Sequence, residues 1–177
     1  MSVPVLRAVD AGFGREGRTL VAPFSLLLEA AQTGDLAQPD ARAASTAARM
    51  CAAIIKPSEG TIYVGDFETR LQPPQAKRLV GYVDAAGFAG DAHALRCEVA
   101  FRAEVWGIEP SAAQERAKDV LSALAAAGEA DDPYVRAVAL ALVPPVSLVV
   151  LDQPEAGLAR RVQELVPGAG ILVTRTM

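Results

Sequence analysis

Lysine is scarce in this chain. Of the 17 basic residues, Lys56, Lys77 and Lys118 are lysines and the others are arginines. Any chemistry that needs an amine therefore has three candidates. Aromatic residues make up 5% of the chain, and the net charge is −4. Because nucleic-acid binders concentrate positive charge and interleave it with aromatic rings, this composition argues against a nucleic-acid partner.

Cysteine and long apolar runs are also sparse. Cys51 and Cys97 form no C-x-x-C motif, which predicts two small buried side chains in a reducing compartment. The longest apolar run, residues 137–151, is interrupted by Pro144 and Pro145 and is too short to cross a bilayer. The N-terminal residues lack the charged and apolar regions of a signal peptide. We therefore expect a cytoplasmic protein with no direct membrane insertion.

Apolar side chains, by contrast, are abundant. Hydrophobic residues make up 51% of the 177 residues, and about a fifth of all residues are alanine. This composition is typical of packed helices and excludes a disordered chain. The length is sufficient to bury a real core and predicts a single domain over residues 1–177.

Glycine and proline divide the chain into strands and helices. The first third predicts an antiparallel hairpin, with a turn at Gly12, Gly14 and Gly17 and a loop over 33–35. The next segment predicts a helix over 41–55. Further strands are expected over 60–66, 79–83, 146–151 and 170–174, and further helices over 94–106, 111–127, 134–143 and 158–165. This order is typical of an α/β fold with a mainly parallel sheet.

Several segments in this order resemble the ATP-binding domain of ABC transporters, along nearly the whole chain. The matching segments are KPSEGTI over 56–62, VGYV over 80–83, LVVLDQPEAGL over 148–158 and ILVT over 171–174. The resemblance implies an α/β, P-loop NTPase-like, mainly parallel sheet with helices on both faces and antiparallel strands at the N-terminus. It also implies a shortened helical subdomain over roughly residues 86–143.

The phosphate loop of that family is altered here. In the family, backbone N–H groups of a glycine-rich loop surround the phosphates of ATP, a lysine neutralises charge, and a hydroxyl binds magnesium. The corresponding segment, QPDARAAST over 38–46, contains no glycine, and Ala44 stands at the lysine position. By resemblance, the vestigial nucleotide-binding residues are Phe13, Asp40, Arg42, Ser45 and Thr46.

Asp40 has two interpretations. Its carboxylate adds negative charge beside any bound phosphate, which disfavours ATP. The interpretation we favour is that Asp40 caps the following helix and fills the anion site internally. Arg42 restores anion binding only if it folds back over the helix start. Ser45 and Thr46 keep hydroxyl groups in register, but both are also ordinary residues in a first helical turn.

The apolar strand before Gln153 ends in Asp152, which matches the magnesium-organising carboxylate of the family. By resemblance, Ser45 and Asp152 are the vestigial metal ligands, although we favour a role for Asp152 in capping the turn after a buried strand. The next position in the family is a glutamate that polarises the attacking water. Because the amide of Gln153 cannot accept a proton, this change should slow hydrolysis severely.

Other family positions are changed as well. The signature segment reads GEADD over 128–132, Ala159 replaces an aspartate, and Arg175 replaces a histidine. Asp84 follows the VGYV strand where a glutamine is expected. Phe13 lies at the place of the aromatic residue that stacks on adenine, with a core or loop anchor as the alternative.

Three functions are compatible with the resemblance. The first, which we favour, is a catalytically inactive domain without a cofactor that serves a membrane transporter complex as a scaffold or regulatory subunit. Its partners would be a membrane subunit or an intact ABC ATPase, which would place it at the membrane peripherally. The second is a subunit that holds ATP or ADP with magnesium without turnover or with very weak turnover. The third is a working ATPase that borrows catalytic groups from a partner.

The resemblance also places a docking surface on the helix over 94–106. Trp106 and Phe101 are the candidate partner-binding residues, because aromatic side chains often anchor interfaces. Most other apolar residues of this helix should belong to the core.

Overall fold

Residues 4–124 and 132–177 are described by the computed structural model, and they form two units. One unit contains the residues up to Tyr82 together with Val146–Met177, and the other is Val83–Pro145. The strands are β1 (Leu6–Arg15), β2 (Arg18–Leu28), β3 (Thr33–Gln38), β4 (Glu59–Val64), β5 (Phe67–Glu68), β6 (Val80–Val83), β7 (Leu148–Asp152) and β8 (Gly170–Thr176). The helices are α1 (Ala41–Cys51), α2 (Pro73–Lys77), α3 (Ala92–Trp106), α4 (Pro110–Leu124), α5 (Pro133–Ala141) and α6 (Leu158–Leu165).

The predicted N-terminal hairpin is confirmed, and it forms part of an antiparallel sheet with strand order β2-β1-β4-β5. The turn is shorter than the glycine pattern indicates. Glu16 and Gly17 take left-handed φ angles of 53° and 76°, so that the strands continue through Gly12 and Gly14. Both of these glycines lie against neighbouring strands, and register shifts interrupt the β1–β2 and β1–β4 pairings beside them.

The second sheet has strand order β3-β8-β7-β6, and β8 pairs in parallel with both β3 and β7. The prediction of a loop at 33–35 is wrong, because Thr33 begins β3 and pairs with Ile171. Gly34 and Asp35 have low strand propensity, but the main-chain hydrogen bonds to β8 do not depend on side-chain type. The five residues of β7 are all buried, as an apolar parallel strand requires.

Helix α1 packs against strands of both sheets. Its buried face is built from alanines, since Ala43, Ala44, Ala47 and Ala48 are each at most 2% exposed. The helix ends at Cys51, four residues before the predicted end. Ala53 takes a left-handed φ of 57°, and the amides of Ile54 and Ile55 both donate to the carbonyl of Arg49.

The other unit has its own apolar core between α3, α4 and α5. The residues of that core are Leu95, Val99, Ala103, Ala113, Ala117, Leu140 and Val143. Helix α4 is capped by Glu109. The carboxylate of Glu109 accepts a hydrogen bond from the amide of Ala112 at 2.9 Å and another from the Ser111 hydroxyl. These two hydrogen bonds, that of the Ser111 hydroxyl foremost, lower the pKa of Glu109. The last three residues of the helix predicted over 111–127 lie outside the described residues.

The two cysteines differ in their surroundings. Cys51 is buried, and burial raises the pKa of its thiol to about 12. Cys97 is exposed, so the prediction that both side chains are buried is wrong for it. It lies on the outer face of α3, one helical turn after His93. Among the described residues, no helix is long and apolar enough to cross a membrane.

Gly60 offers a test of the antiparallel sheet. Its φ is 66°, and a Cβ at this position would lie 2.1 Å from the carbonyl oxygen of Asp10. We expect Gly60→Ala to lower the free energy of unfolding by at least about 2 kcal/mol, because strand β1 must move away. Gly17 has a similar φ of 76° but open space around it, so Gly17→Ala should cost about 1 kcal/mol. Urea denaturation measures both values, and equal losses would contradict the close approach of β1 and β4.

Candidate functional site

The start of α1, where the resemblance places the phosphate loop, is capped by the chain itself. Asp40 is in extended conformation and its Oδ1 accepts a hydrogen bond from the amide of Ala43 at 2.8 Å. A helix N-terminus attracts anions because its first amides lack partners and its dipole is positive there. The carboxylate of Asp40 provides that negative charge from within the chain, as the capping interpretation predicts.

The other predicted phosphate-loop residues lie on the first two turns of α1. Arg42 is exposed, and its carbonyl accepts a hydrogen bond from the Thr46 hydroxyl at 2.7 Å. The Thr46 hydroxyl is thus engaged with its own helix. Ala44, at the lysine position of the family, is 0% exposed. At the position where the resemblance expects a lysine, the structure therefore has a methyl group packed inside the unit.

Asp152 lies at the end of β7 with its side chain buried in a polar network. Its Oδ1 accepts from the Thr174 hydroxyl at 3.3 Å and its Oδ2 from the Tyr82 hydroxyl at 3.4 Å. Arg49 on α1 in turn donates its Nε to the Tyr82 oxygen at 3.4 Å. Because a buried carboxylate is costly without donors, these contacts hold Asp152 as a structural tie between β6, β7 and β8.

Gln153 connects the end of β7 to α1. Its Nε2 donates to Ser45 Oγ at 3.2 Å and lies 3.5 Å from the carbonyl oxygen of Ala41. Its backbone takes a left-handed φ of 52°, and its amide donates to the carbonyl of Thr174 at 2.9 Å. The structure thus joins Ser45 to the residue beside Asp152, and the Ser45 oxygen accepts a hydrogen bond from a neutral amide.

Ala159 and Arg175, where the resemblance expects an aspartate and a histidine, lie together. Ala159 and Arg175 line one recess of about 340 Å³, with Glu155, Gly157 and Val173 also in its wall. The guanidinium of Arg175 forms an ion pair with Asp35 on β3. Both partners are more than half exposed, so this pair contributes little to stability.

The remaining predicted positions have local roles. Phe13 is half-buried, pairs with Val21 across the hairpin and packs against the core. Asp84 accepts from the amide of Ala86 at 3.0 Å, forming a local turn. Of the signature segment, only Asp132 is described, and it caps α5 by accepting from the amide of Tyr134 at 2.6 Å. The other four residues of that segment lie outside the described residues.

The two predicted partner-binding residues lie at the C-terminal half of α3. Phe101 is 60% exposed and Val105, one turn later, is 61% exposed. Trp106 is partly buried. Leu95 and Val99 are buried in the core of this unit, as expected for the other apolar residues of the helix.

Sequence reasoning missed the roles of Tyr82, Arg49 and Thr174. Tyr82 was part of a matching segment, but nothing in the sequence indicates that its hydroxyl reaches Asp152, 70 residues later. The sequence offers one general signal: a buried carboxylate needs hydrogen-bond donors, and the hydroxyl groups of tyrosine and threonine can supply them.

The capping role of Asp40 can be measured directly. We expect Asp40→Ala to lower the free energy of unfolding by about 1 kcal/mol, because the amide of Ala43 loses its acceptor. Asp40→Asn keeps an acceptor oxygen and should cost only a few tenths of a kcal/mol. Chemical denaturation of the two variants gives the comparison. If Asp40→Ala instead raised the free energy of unfolding, the carboxylate would destabilise the fold at this position, and its role as a stabilising cap would be refuted.

Known proteins provide a comparison for this arrangement. No protein-family model matches the sequence, and no curated protein matches it significantly. Solved structures do match. An ATP-binding subunit of an ABC transporter superposes with a TM-score of 0.76 at 16% identity, covering 98% of this chain and 80% of that one.

Two further structures are similar. One is cbiO1 from Clostridium perfringens, part of the ABC transporter complex cbiONQ, with a TM-score of 0.68 and 18% identity over 98% of this chain and 79% of the other. The other is the dimeric ATP-binding cassette MJ0796 in a post-hydrolysis state, bound to ADP and Pi. It has a TM-score of 0.69 and 14% identity, and the match covers 96% of this chain and 88% of that chain. Identities this low establish the fold alone: the chain has the mixed α/β, P-loop NTPase fold of ABC transporter ATP-binding subunits.

Proposed function

We propose that this chain is an ABC-type ATPase-like domain that does not hydrolyse ATP and serves a membrane transporter complex as a scaffold or regulatory subunit. The observation that carries the proposal is the start of α1, where the carboxylate of Asp40 bonds to the amide of Ala43. An incoming phosphate would meet this charge and would have to displace it. The buried methyl of Ala44 supplies no compensating positive charge.

The polar contacts beside α1 support the same proposal. In a magnesium-dependent reaction, Ser45 and Asp152 would be needed as oxygen ligands. Here the Ser45 oxygen accepts from Gln153 Nε2, and both oxygens of Asp152 accept hydrogen bonds from hydroxyl groups. Gln153 also lacks a group that can take a proton from water. These residues are therefore suited to holding strands and helix together rather than to hydrolysis.

Binding of Mg-ATP to the purified chain tests the proposal. We expect no saturable heat in isothermal titration and no rise in melting temperature at millimolar Mg-ATP. A ligand present at about 100 times its Kd would add about 2.7 kcal/mol to the free energy of unfolding, which thermal denaturation detects easily. An authentic ABC ATPase measured in parallel serves as the positive control.

The competing functions give different results in this experiment. Saturable binding that is lost in both Arg42→Ala and Ser45→Ala would replace the proposal by the second function, a subunit that holds nucleotide. Steady release of phosphate that disappears in Asp152→Asn would replace it by a working ATPase. Thr19→Ala, an exposed change on β2, serves as the matched control for both measurements.

The partner surface that we propose is the C-terminal half of α3. Phe101 and Val105 expose two apolar side chains to solvent one helical turn apart. Neighbouring exposed apolar side chains are typical of protein interfaces, where a partner covers them. This surface would hold the chain at the membrane through the transporter subunit.

Substitution of Phe101 tests this surface. We expect Phe101→Ser to change the free energy of unfolding by less than about 0.5 kcal/mol, because the side chain is exposed. In fractionated source cells it should lower the membrane-associated share of the chain severalfold. Ala100→Ser, a neighbouring exposed change, should leave that share unaltered. Equal membrane association of wild type and Phe101→Ser would refute the assignment of Phe101.

A further inference from the structure

The first turns of α3 carry a pair of metal-ligating side chains that the nucleotide site does not involve. His93 and Cys97 are four positions apart on one helix, so they lie on the same face. The Nε2 atom of His93 is 3.7 Å from the Sγ atom of Cys97. Both residues are exposed, and solvent can therefore deliver an ion to them.

The distance between these two atoms suits a shared metal ion. In tetrahedral zinc sites the Zn–S bond is about 2.3 Å and the Zn–N bond about 2.0 to 2.1 Å. Two such bonds at a tetrahedral angle place sulfur and nitrogen about 3.6 Å apart. The observed 3.7 Å is close to that value, so a bound ion would require little movement of either side chain.

The pair supplies two ligands and leaves other coordination positions open. Among the described residues, no group of three or more His, Cys, Asp and Glu side chains forms a metal cluster. The nearby carboxylate of Asp91 accepts from the amide of Ala94 at 2.8 Å as the cap of α3. Water or an external donor would therefore complete the coordination, and the affinity should be moderate rather than that of a structural zinc site.

We infer that His93 and Cys97 form a two-ligand surface site for a soft or borderline cation of the zinc, cadmium or copper(I) class. A thiolate and an imidazole are the ligands that these ions prefer, whereas magnesium and calcium take oxygen ligands. On binding, the Cys97 thiol releases its proton and Nε2 of His93 donates its lone pair, while Nδ1 keeps the ring proton. The inference uses none of the residues on which the proposed function rests.

Titration of the whole, reduced chain with cadmium tests the site. We expect the ultraviolet charge-transfer band of a cadmium–thiolate bond to rise with a Kd on the order of 10 µM. Zinc should compete for the site and remove the band, and magnesium should not. Cys51 serves as the internal control, since its buried thiol should take no part.

Two variants decide whether both side chains act as ligands. Cys97→Ser should abolish the band although Cys51 is still present. His93→Gln should weaken cadmium binding by at least about tenfold, because one of two ligands is lost. Both side chains are exposed, so circular dichroism should show unchanged folding.

Two results would overturn the inference: a wild-type chain that gives no band at 1 mM cadmium (about 100 times the expected Kd), or a band that His93→Gln leaves at full affinity. A stoichiometry of one ion per chain supports the site with water in the open positions. One ion per two chains supports it with a second copy as the external donor.

Discussion

The structure of the larger unit depends on how closely α1 can approach the strands around it. This helix packs against strands of both the antiparallel and the parallel sheet. Four of its buried positions are alanine, whose small side chains allow the helix backbone to come near the strands. Larger side chains at those positions would force the sheets apart, at a cost typical of overpacked cores. The same helix begins at Asp40, so its position also fixes the start of the candidate site.

This constraint explains the character of the site. Ala44 is part of the packed helix face and Asp40 is the cap of the helix, so both residues contribute to folding. In the function we propose, neither position serves a phosphate. Gln153 and Asp152 add ties from the end of β7 to the helix and to neighbouring strands. In the function we propose, each tie occupies a polar group that an active site would need to keep available. In the function we propose, the contacts that stabilise this region are the same contacts that disfavour an anion at the start of α1.

The helical unit, Val83–Pro145, is held by a separate apolar core. Its helices bury one face and leave the other to solvent, which is why α3 exposes Cys97, Phe101 and Val105 while burying Leu95 and Val99. In the part of this unit that the structure describes, capping carboxylates begin α3, α4 and α5, at Asp91, Glu109 and Asp132. The surfaces available for binding are therefore set by helix periodicity, once it is known which face packs inward.

The sequence by itself determined the α/β class, the hairpin, the buried strand β7 and the helix α6 with its bounds. For Asp40 it left two interpretations, of which the structure shows the helix cap. Breaker residues, apolar runs and helix caps are local signals, and they are read without knowing the neighbours. Tertiary structure alone decided that Thr33 begins a strand, since its partner Ile171 is more than a hundred residues away along the chain. It alone decided that Tyr82 and Thr174 reach Asp152 and that Cys97 faces solvent. These features depend on which segments pack together, and no local pattern of side chains records that choice.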